Sequence, residues 1–186
     1  MQLDNKKIAI LATNVFEQAE LEVPRDKLKA AGATVHIVSL EAGEIKGWDK
    51  KDWGRSVKVD KRLDQVSADD YDAVVLPGGQ INPDLLRVEP KAIAFIKDVF
   101  NQKKIVAAVC HAPWLLIEAG IAKGRNMTSY KSIKTDVANA GAKWQDSEVV
   151  VDNGVITSRN PGDLEAFCAK IIEEVREGKH TRRSAA

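Results

Sequence analysis

Apolar residues along this chain follow two rhythms. Lys7-Ile8-Ala9-Ile10-Leu11-Ala12, Val35-His36-Ile37-Val38, Ala73-Val74-Val75-Leu76 and Ile105-Val106-Ala107-Ala108-Val109 are short apolar runs that barely alternate with polar residues. Such runs read as strands buried on both faces, as in a parallel sheet. Between them the period lengthens. A helix is expected from roughly Gln18 to Ala31, closed by Gly32, with a kink or restart at Pro24. Glu89 to Gln102 repeats Ile93, Ile96 and Phe100 on one face, with Pro90 in the first turn. Ile133 to Ala140 reads as a helix ended by Gly141. Asn160 caps a last helix with Pro161 at its first position, and Leu164, Phe167, Cys168, Ile171, Ile172 and Val175 recur at helical spacing until Gly178. Cys168 therefore reads as core.

Two stretches break the alternation of strand and helix. Val149 to Thr157 carries Asn153-Gly154 at its centre, a strong hairpin signal. Glu41 to Asp60 is rich in glycine and charge, holds Trp48 and Trp53, and alternates at Val57-Lys58-Val59. It predicts a loop or β-ribbon leaving the main sheet. Its tryptophans serve a lid or interface on one reading, and merely anchor the excursion on the other. Taken together, the elements predict a three-layer α/β sandwich around a mostly parallel central sheet. Ligands of such sheets bind at the carboxyl ends of the strands.

Candidate chemistry gathers at those ends. The Ile105 strand stops abruptly at Cys110-His111, and Trp114, Leu115 and Ala119 carry a helix on to Gly120. A side chain between a buried strand and a helix start is pushed out of the sheet on a sharp turn, a nucleophile elbow. The helix start favours thiolate over thiol. The local pattern also allows Cys110 to be a small buried hydrophobe. Glu17 follows the first strand, and Gly78-Gly79 follows the third. A carboxyl beside a thiolate is pushed toward its neutral form and could donate a hydrogen bond to sulfur. The Gly79 and His111 N–H groups could form an oxyanion site.

Bulk composition narrows the field. The 186 residues suit one domain over 1–178, and Lys179 to Ala186 reads as a polar tail expected to be disordered. A net charge of +1 favours neither nucleic acid nor a membrane surface. The two cysteines, in unlike contexts, read as free thiols of a reducing compartment. No run has the length of a signal-peptide core or membrane span, so the expected location is cytoplasmic. Only His36, His111 and His180 are present, so no distal His-x-Glu exists to serve a glutaminase-type triad. No glycine fingerprint for a dinucleotide and no metal-ligand spacing appears, so neither cofactor nor metal is expected.

Phe16-Glu17, Leu76-Pro77-Gly78-Gly79, Ala108-Val109-Cys110-His111-Ala112-Pro113, Thr128-Ser129-Tyr130 and Ser158-Arg159-Asn160-Pro161-Gly162-Asp163-Leu164 occur in this order. Together they resemble the PfpI family of the class I glutamine amidotransferase-like superfamily, to which the parkinsonism-associated deglycases also belong. The resemblance runs from about Lys6 to Val175. It implies a flavodoxin-like fold and a nucleophilic Cys110 whose thiol is hydrogen-bonded by Glu17 and partnered by His111. It places an acid from a neighbouring subunit on His111, at Asp84, where the family usually carries Glu. Within one subunit Asp84 is expected to point away from the elbow. Gly78, Gly79 and Trp114 would complete the binding site of a homo-oligomer. The implied activity is a cofactor-free cysteine hydrolase or lyase acting on glyoxal, methylglyoxal and their early adducts on protein side chains or nucleotides. An intracellular cysteine peptidase and a redox-stress sensor using Cys110 oxidation are the alternatives.

Overall fold

The computed structural model describes residues 2–178; the tail expected to be disordered lies outside them. In chain order the strands are β1 (Lys7–Leu11), β2 (Phe16–Glu17), β3 (Thr34–Ser39), β4 (Glu44–Asp49), β5 (Asp52–Lys58), β6 (Lys61–Arg62), β7 (Ala73–Leu76), β8 (Ile105–Val109), β9 (Asn126–Met127), β10 (Lys143–Trp144), β11 (Val149–Asp152) and β12 (Val155–Ser158). The helices are α1 (Gln18–Ala30), α2 (Ile81–Arg87), α3 (Pro90–Asn101), α4 (Pro113–Glu118), α5 (Lys134–Asn139) and α6 (Leu164–Glu177).

Seven strands form the main sheet in the order β11-β12-β8-β7-β1-β3-β6. All neighbours are parallel except β11 and β12, the hairpin pair. Asn153 and Gly154 both have positive φ, 48° and 78°, as a type I′ turn requires. The non-alternating strands are explained by cover on both faces. In β1, Ile8 and Ile10 face one apolar cluster with Leu21, Leu28 and Phe167, while Ala9 and Leu11 face the other with Ile96, Val99 and Leu116. From β1 the chain winds outward to β3, then returns to lay β7 and β8 on the other side of β1. That reversal opens a crevice between the carboxyl ends of β1 and β7.

The Trp-bearing stretch is the antiparallel pair β4–β5, joined to β2 rather than to the main sheet. Pro24 lies inside α1, which continues through it as one element. Its missing N–H is the one that would otherwise bond the Glu20 carbonyl, four residues back. In α3 the buried face is Ala92, Phe95, Ile96 and Val99; Ile93 and Phe100 are only partly buried beside it. The last helix begins as a 3-10 turn, Pro161–Asp163, with the Asn160 side chain accepting from the Gly162 N–H at 2.8 Å. Cys168 is 1% exposed, in the core.

Candidate active site

Cys110 follows the last residue of β8 with φ at +64°, a left-handed conformation that costs a non-glycine residue energy. Its backbone is held there from both sides. The Cys110 N–H donates to the Ser158 carbonyl at 3.0 Å, and the Tyr130 N–H donates to the Cys110 carbonyl at 2.8 Å. The elbow thus depends on β12 and on the Thr128-Ser129-Tyr130 segment. Cys110 is only 6% exposed and lies at the edge of a cavity of about 740 Å³.

The glycine turn after β7 packs directly against this elbow. A Cβ on Gly78 would stand 2.6 Å from Glu20 Oε2, 2.7 Å from Cys110 Cβ and 2.7 Å from the Val109 carbonyl oxygen. Gly79 has φ of +77° and its missing Cβ leaves room for the backbone of Val15 and Glu17. Buried Asn82 latches this turn to the end of β1. Its Oδ1 accepts from the Thr13 N–H at 2.7 Å, and its Nδ2 donates to the carbonyls of Pro77 and Gly78 at 2.9 and 3.1 Å.

The carboxyl that meets the thiol is Glu20. Fully buried on the first turn of α1, it accepts the Gly78 N–H on Oε2 at 2.8 Å. Its Oε1 has no hydrogen-bond partner among the described residues, and the carboxyl lies beside the Cys110 side chain, both crowding Gly78. Burial pushes its pKa from 4.5 up to about 8. Burial also pushes the Cys110 thiol up, and a charged Glu20 beside it adds to that, against the opposing pull of the Gly79 and His111 backbone N–H groups. Two buried acids in contact cannot both ionise readily. Near neutral pH the pair therefore retains a proton, held at the contact between carboxyl and sulfur. The N–H groups at the helix start favour the thiolate, as expected, and burial beside Glu20 opposes them.

Glu17 is placed differently from expectation. It caps α1 and lines the cavity, half-buried, with its carboxyl accepting from the Lys50 backbone N–H. Burial raises its pKa. Glu20 rather than Glu17 pairs with the sulfur because one helical turn carries the chain from the strand end to the face packed on the elbow. The sequence signal was present: Glu20, Pro24 and Leu28 fall at i, i+4 and i+8, which puts a carboxylate on the buried stripe.

His111 Nδ1 lies 3.1 Å from Cys110 Sγ, and its Nε2 lies 3.1 Å from Ser132 Oγ. Its ring stacks on Tyr130 at 4.9 Å and meets Trp114 edge-on at 5.3 Å. Burial lowers its pKa, which favours the neutral imidazole. A neutral ring that donates from Nδ1 to sulfur accepts from the Ser132 hydroxyl at Nε2, and the reverse tautomer suits the reverse pattern. Ser132, which the motifs did not single out, thus occupies the position the resemblance gives to an acid. Asp84 is exposed on α2 and makes no hydrogen bond or ion pair within the described residues. Trp114 does not line the cavity. It braces His111 while its Nε1 donates to Asp136 at 2.8 Å. The aromatic wall comes from the ribbon: Trp48 and Trp53, in edge contact at 5.7 Å, line the cavity with Glu17, Lys50 and Ile81. Gly78 spends its N–H on Glu20, leaving Gly79 and His111 as the N–H pair beside sulfur.

A parallel α/β sheet with a strained cysteine elbow, a buried protonated carboxyl and a neighbouring imidazole defines a class of cysteine-centred α/β proteins. The chain belongs to the DJ-1/PfpI family, whose profile matches residues 6–174. It is 45% identical over 167 residues to "Deglycase PfpI" of Pyrococcus furiosus, covering 90% of this chain and 98% of that one. It is 44% identical over 164 residues to "Putative cysteine protease YraA" of Bacillus subtilis, covering 88% and 94%. The crystal structure of Drosophila melanogaster DJ-1beta superposes with a TM-score of 0.85 at 31% identity, covering 92% of this chain and 90% of that one.

Proposed function

We propose that the chain is a cofactor-independent cysteine hydrolase of the deglycase and glyoxalase type, acting on glyoxal, methylglyoxal and their early adducts on amines and thiols. The observation that carries this reading is the Glu20–Cys110 pair: a nucleophile and a proton donor in one buried contact, beside two backbone N–H groups. As Cys110 sulfur adds to the aldehyde carbon of methylglyoxal, the C–S bond forms, and the carbonyl oxygen takes a proton and becomes a hydroxyl. With an aminocarbinol adduct the same attack breaks the C–N bond and the amine leaves with a proton. Glu20 and His111 then move the proton on the hydroxyl-bearing carbon to the neighbouring carbon, while the hydroxyl proton passes to the ketone oxygen there, giving a thioester. Water cleaves that to lactate and restores the thiol, so methylglyoxal plus water gives lactate. Neutral His111, Glu20 and the backbone N–H groups supply all the proton and charge handling this needs.

The Trp48–Trp53 wall and Glu17 bound a cavity suited to small groups or a single modified side chain. A peptidase is the second reading, favoured by the name of the Bacillus relative and by the same nucleophile. We place the protein in the cytoplasm as a homo-oligomer. No helix among the described residues is long and apolar enough to cross a membrane. Ile81, Leu85 and Val88 form an exposed apolar stripe along α2 beside Asp84, Val88 being 73% exposed. A partner packed on that stripe brings Asp84 toward another subunit's His111, where it would compete with Ser132 for Nε2. The test is lactate and glycolate formation from methylglyoxal and glyoxal, beside hydrolysis of a peptide panel, for wild type and Cys110→Ser. Lactate formation lost in Cys110→Ser supports the proposal; peptide hydrolysis without lactate formation selects the peptidase.

A further inference from the structure

Six non-glycine residues among the described ones have positive φ: Asn5, Val15, Lys50, Lys103, Cys110 and Asn153. Asparagine tolerates this region, and Lys50 and Lys103 are exposed and unbranched at Cβ. Cys110 is the elbow. Val15, at +62°, is the exception, because a β-branched side chain is the most crowded there. It lies in the loop between β1 and β2, half-buried, and lines the Cys110 cavity. Strain of this kind gathers at functional sites, where the surrounding structure holds it in place.

Contacts on three sides hold the strained turn. The Val15 N–H donates to the Lys46 carbonyl at 2.7 Å, and Asn14 Oδ1 accepts from the Lys46 N–H at 2.8 Å. Phe16 is fully buried against Gly47, whose missing Cβ would stand 3.0 Å from the ring. On the third side the Val15 carbonyl oxygen packs on Gly79, 2.8 Å from where a Cβ would stand. The backbone of Val15 is thus turned to its neighbours, and its isopropyl group is what remains to face the cavity. All three contacts need only the backbone conformation, which glycine or asparagine supplies at lower cost. What valine adds is bulk on the cavity wall. Its packing on Gly79 puts that bulk next to one of the two N–H groups beside the Cys110 sulfur.

We propose that Val15 is a specificity-determining residue, its isopropyl group walling the space beside Gly79 and favouring compact α-oxoaldehydes over branched or aryl ones; this rests on the aldehyde chemistry proposed for Cys110. Val15→Gly empties that space and keeps the turn, whereas Val15→Asn keeps a side chain of similar size and also suits the turn. The ratio of kcat/KM for methylglyoxal, which gives lactate, to that for phenylglyoxal, which gives mandelate, reads the preference. It should fall about tenfold or more in Val15→Gly and stay within about threefold of wild type in Val15→Asn. Both variants should melt at or above the wild-type temperature, because both relieve the strained φ. A second readout needs no turnover. The rate of Cys110 alkylation by iodoacetanilide relative to iodoacetamide should rise about fivefold or more in Val15→Gly alone. Wild type forming neither lactate nor mandelate sinks the aldehyde reading, and the alkylation ratio still decides whether Val15 limits access to sulfur. An unchanged alkylation ratio in Val15→Gly overturns the proposal. So does an equal shift in Val15→Asn, or a lower melting temperature in both variants, which assigns the isopropyl group to the fold.

Discussion

Glu20→Gln isolates the energetic cost of the buried carboxyl. Wild-type Glu20 binds its proton up to about pH 8 when folded, against 4.5 for an ordinary glutamate. Between those values the folded state holds more protons than the unfolded state, so stability must fall as pH rises. At about 1.4 kcal/mol per pKa unit, the shift amounts to about 5 kcal/mol lost between pH 4.5 and pH 8. Above the folded pKa the loss from this group stops growing. Glutamine keeps an oxygen for the Gly78 N–H and a donor for sulfur but cannot ionise, so the variant lacks this contribution. Urea unfolding of both proteins at half-unit steps across the window gives the free-energy difference directly. The variant should gain on wild type steadily with pH, by a few kcal/mol in total. Parallel pH profiles for the two proteins would refute a carboxyl held neutral by burial.

Iodoacetamide should modify Cys110, which lines the open cavity, and spare Cys168, which is sealed in the core under α6; peptide mapping by mass spectrometry reads this out, and equal labelling is the contrary result. Asn82→Ala strands the Thr13 N–H and the Pro77 carbonyl in the interior and should cost about 2–4 kcal/mol in urea unfolding. Ser132→Ala removes the group on His111 Nε2 and should lower kcat roughly threefold to tenfold while moving the pH profile, with KM little changed. If subunits share sites across a two-fold interface, mixing inactive Asp84→Ala with Cys110→Ser should restore activity on exchange, because one composite site is then intact.

Much of the fold was legible because burial on both sheet faces leaves a plain mark. Ile105 to Val109 cannot alternate when the sheet is covered on both sides, and Asn153-Gly154 fixes a hairpin through backbone conformation alone. The α3 face was less legible: Ile93 and Phe100 are large and apolar, yet smaller Ala92 with Phe95 and Val99 face the core. Local spacing reports periodicity more reliably than the rotation of a helix about its own axis. The same limit governed the acid. Glu17 and Glu20 are both glutamates at the start of α1, and only packing against the Gly78 turn decides which one reaches sulfur. Ser132 was hidden for another reason, as was the choice between lid and mere anchor for Trp48 and Trp53. Their places depend on contacts with segments distant in sequence, which no local pattern encodes.

The most direct test of the central claim compares lactate release from methylglyoxal by Glu20→Gln and Glu17→Gln. The account predicts that Glu20→Gln loses about 10²-fold or more in kcat/KM, since the proton donor at sulfur can no longer give up its proton. Glu17→Gln, altered only at the cavity rim, should stay within about tenfold of wild type. Near-normal turnover by Glu20→Gln, or collapse in Glu17→Gln alone, would contradict it.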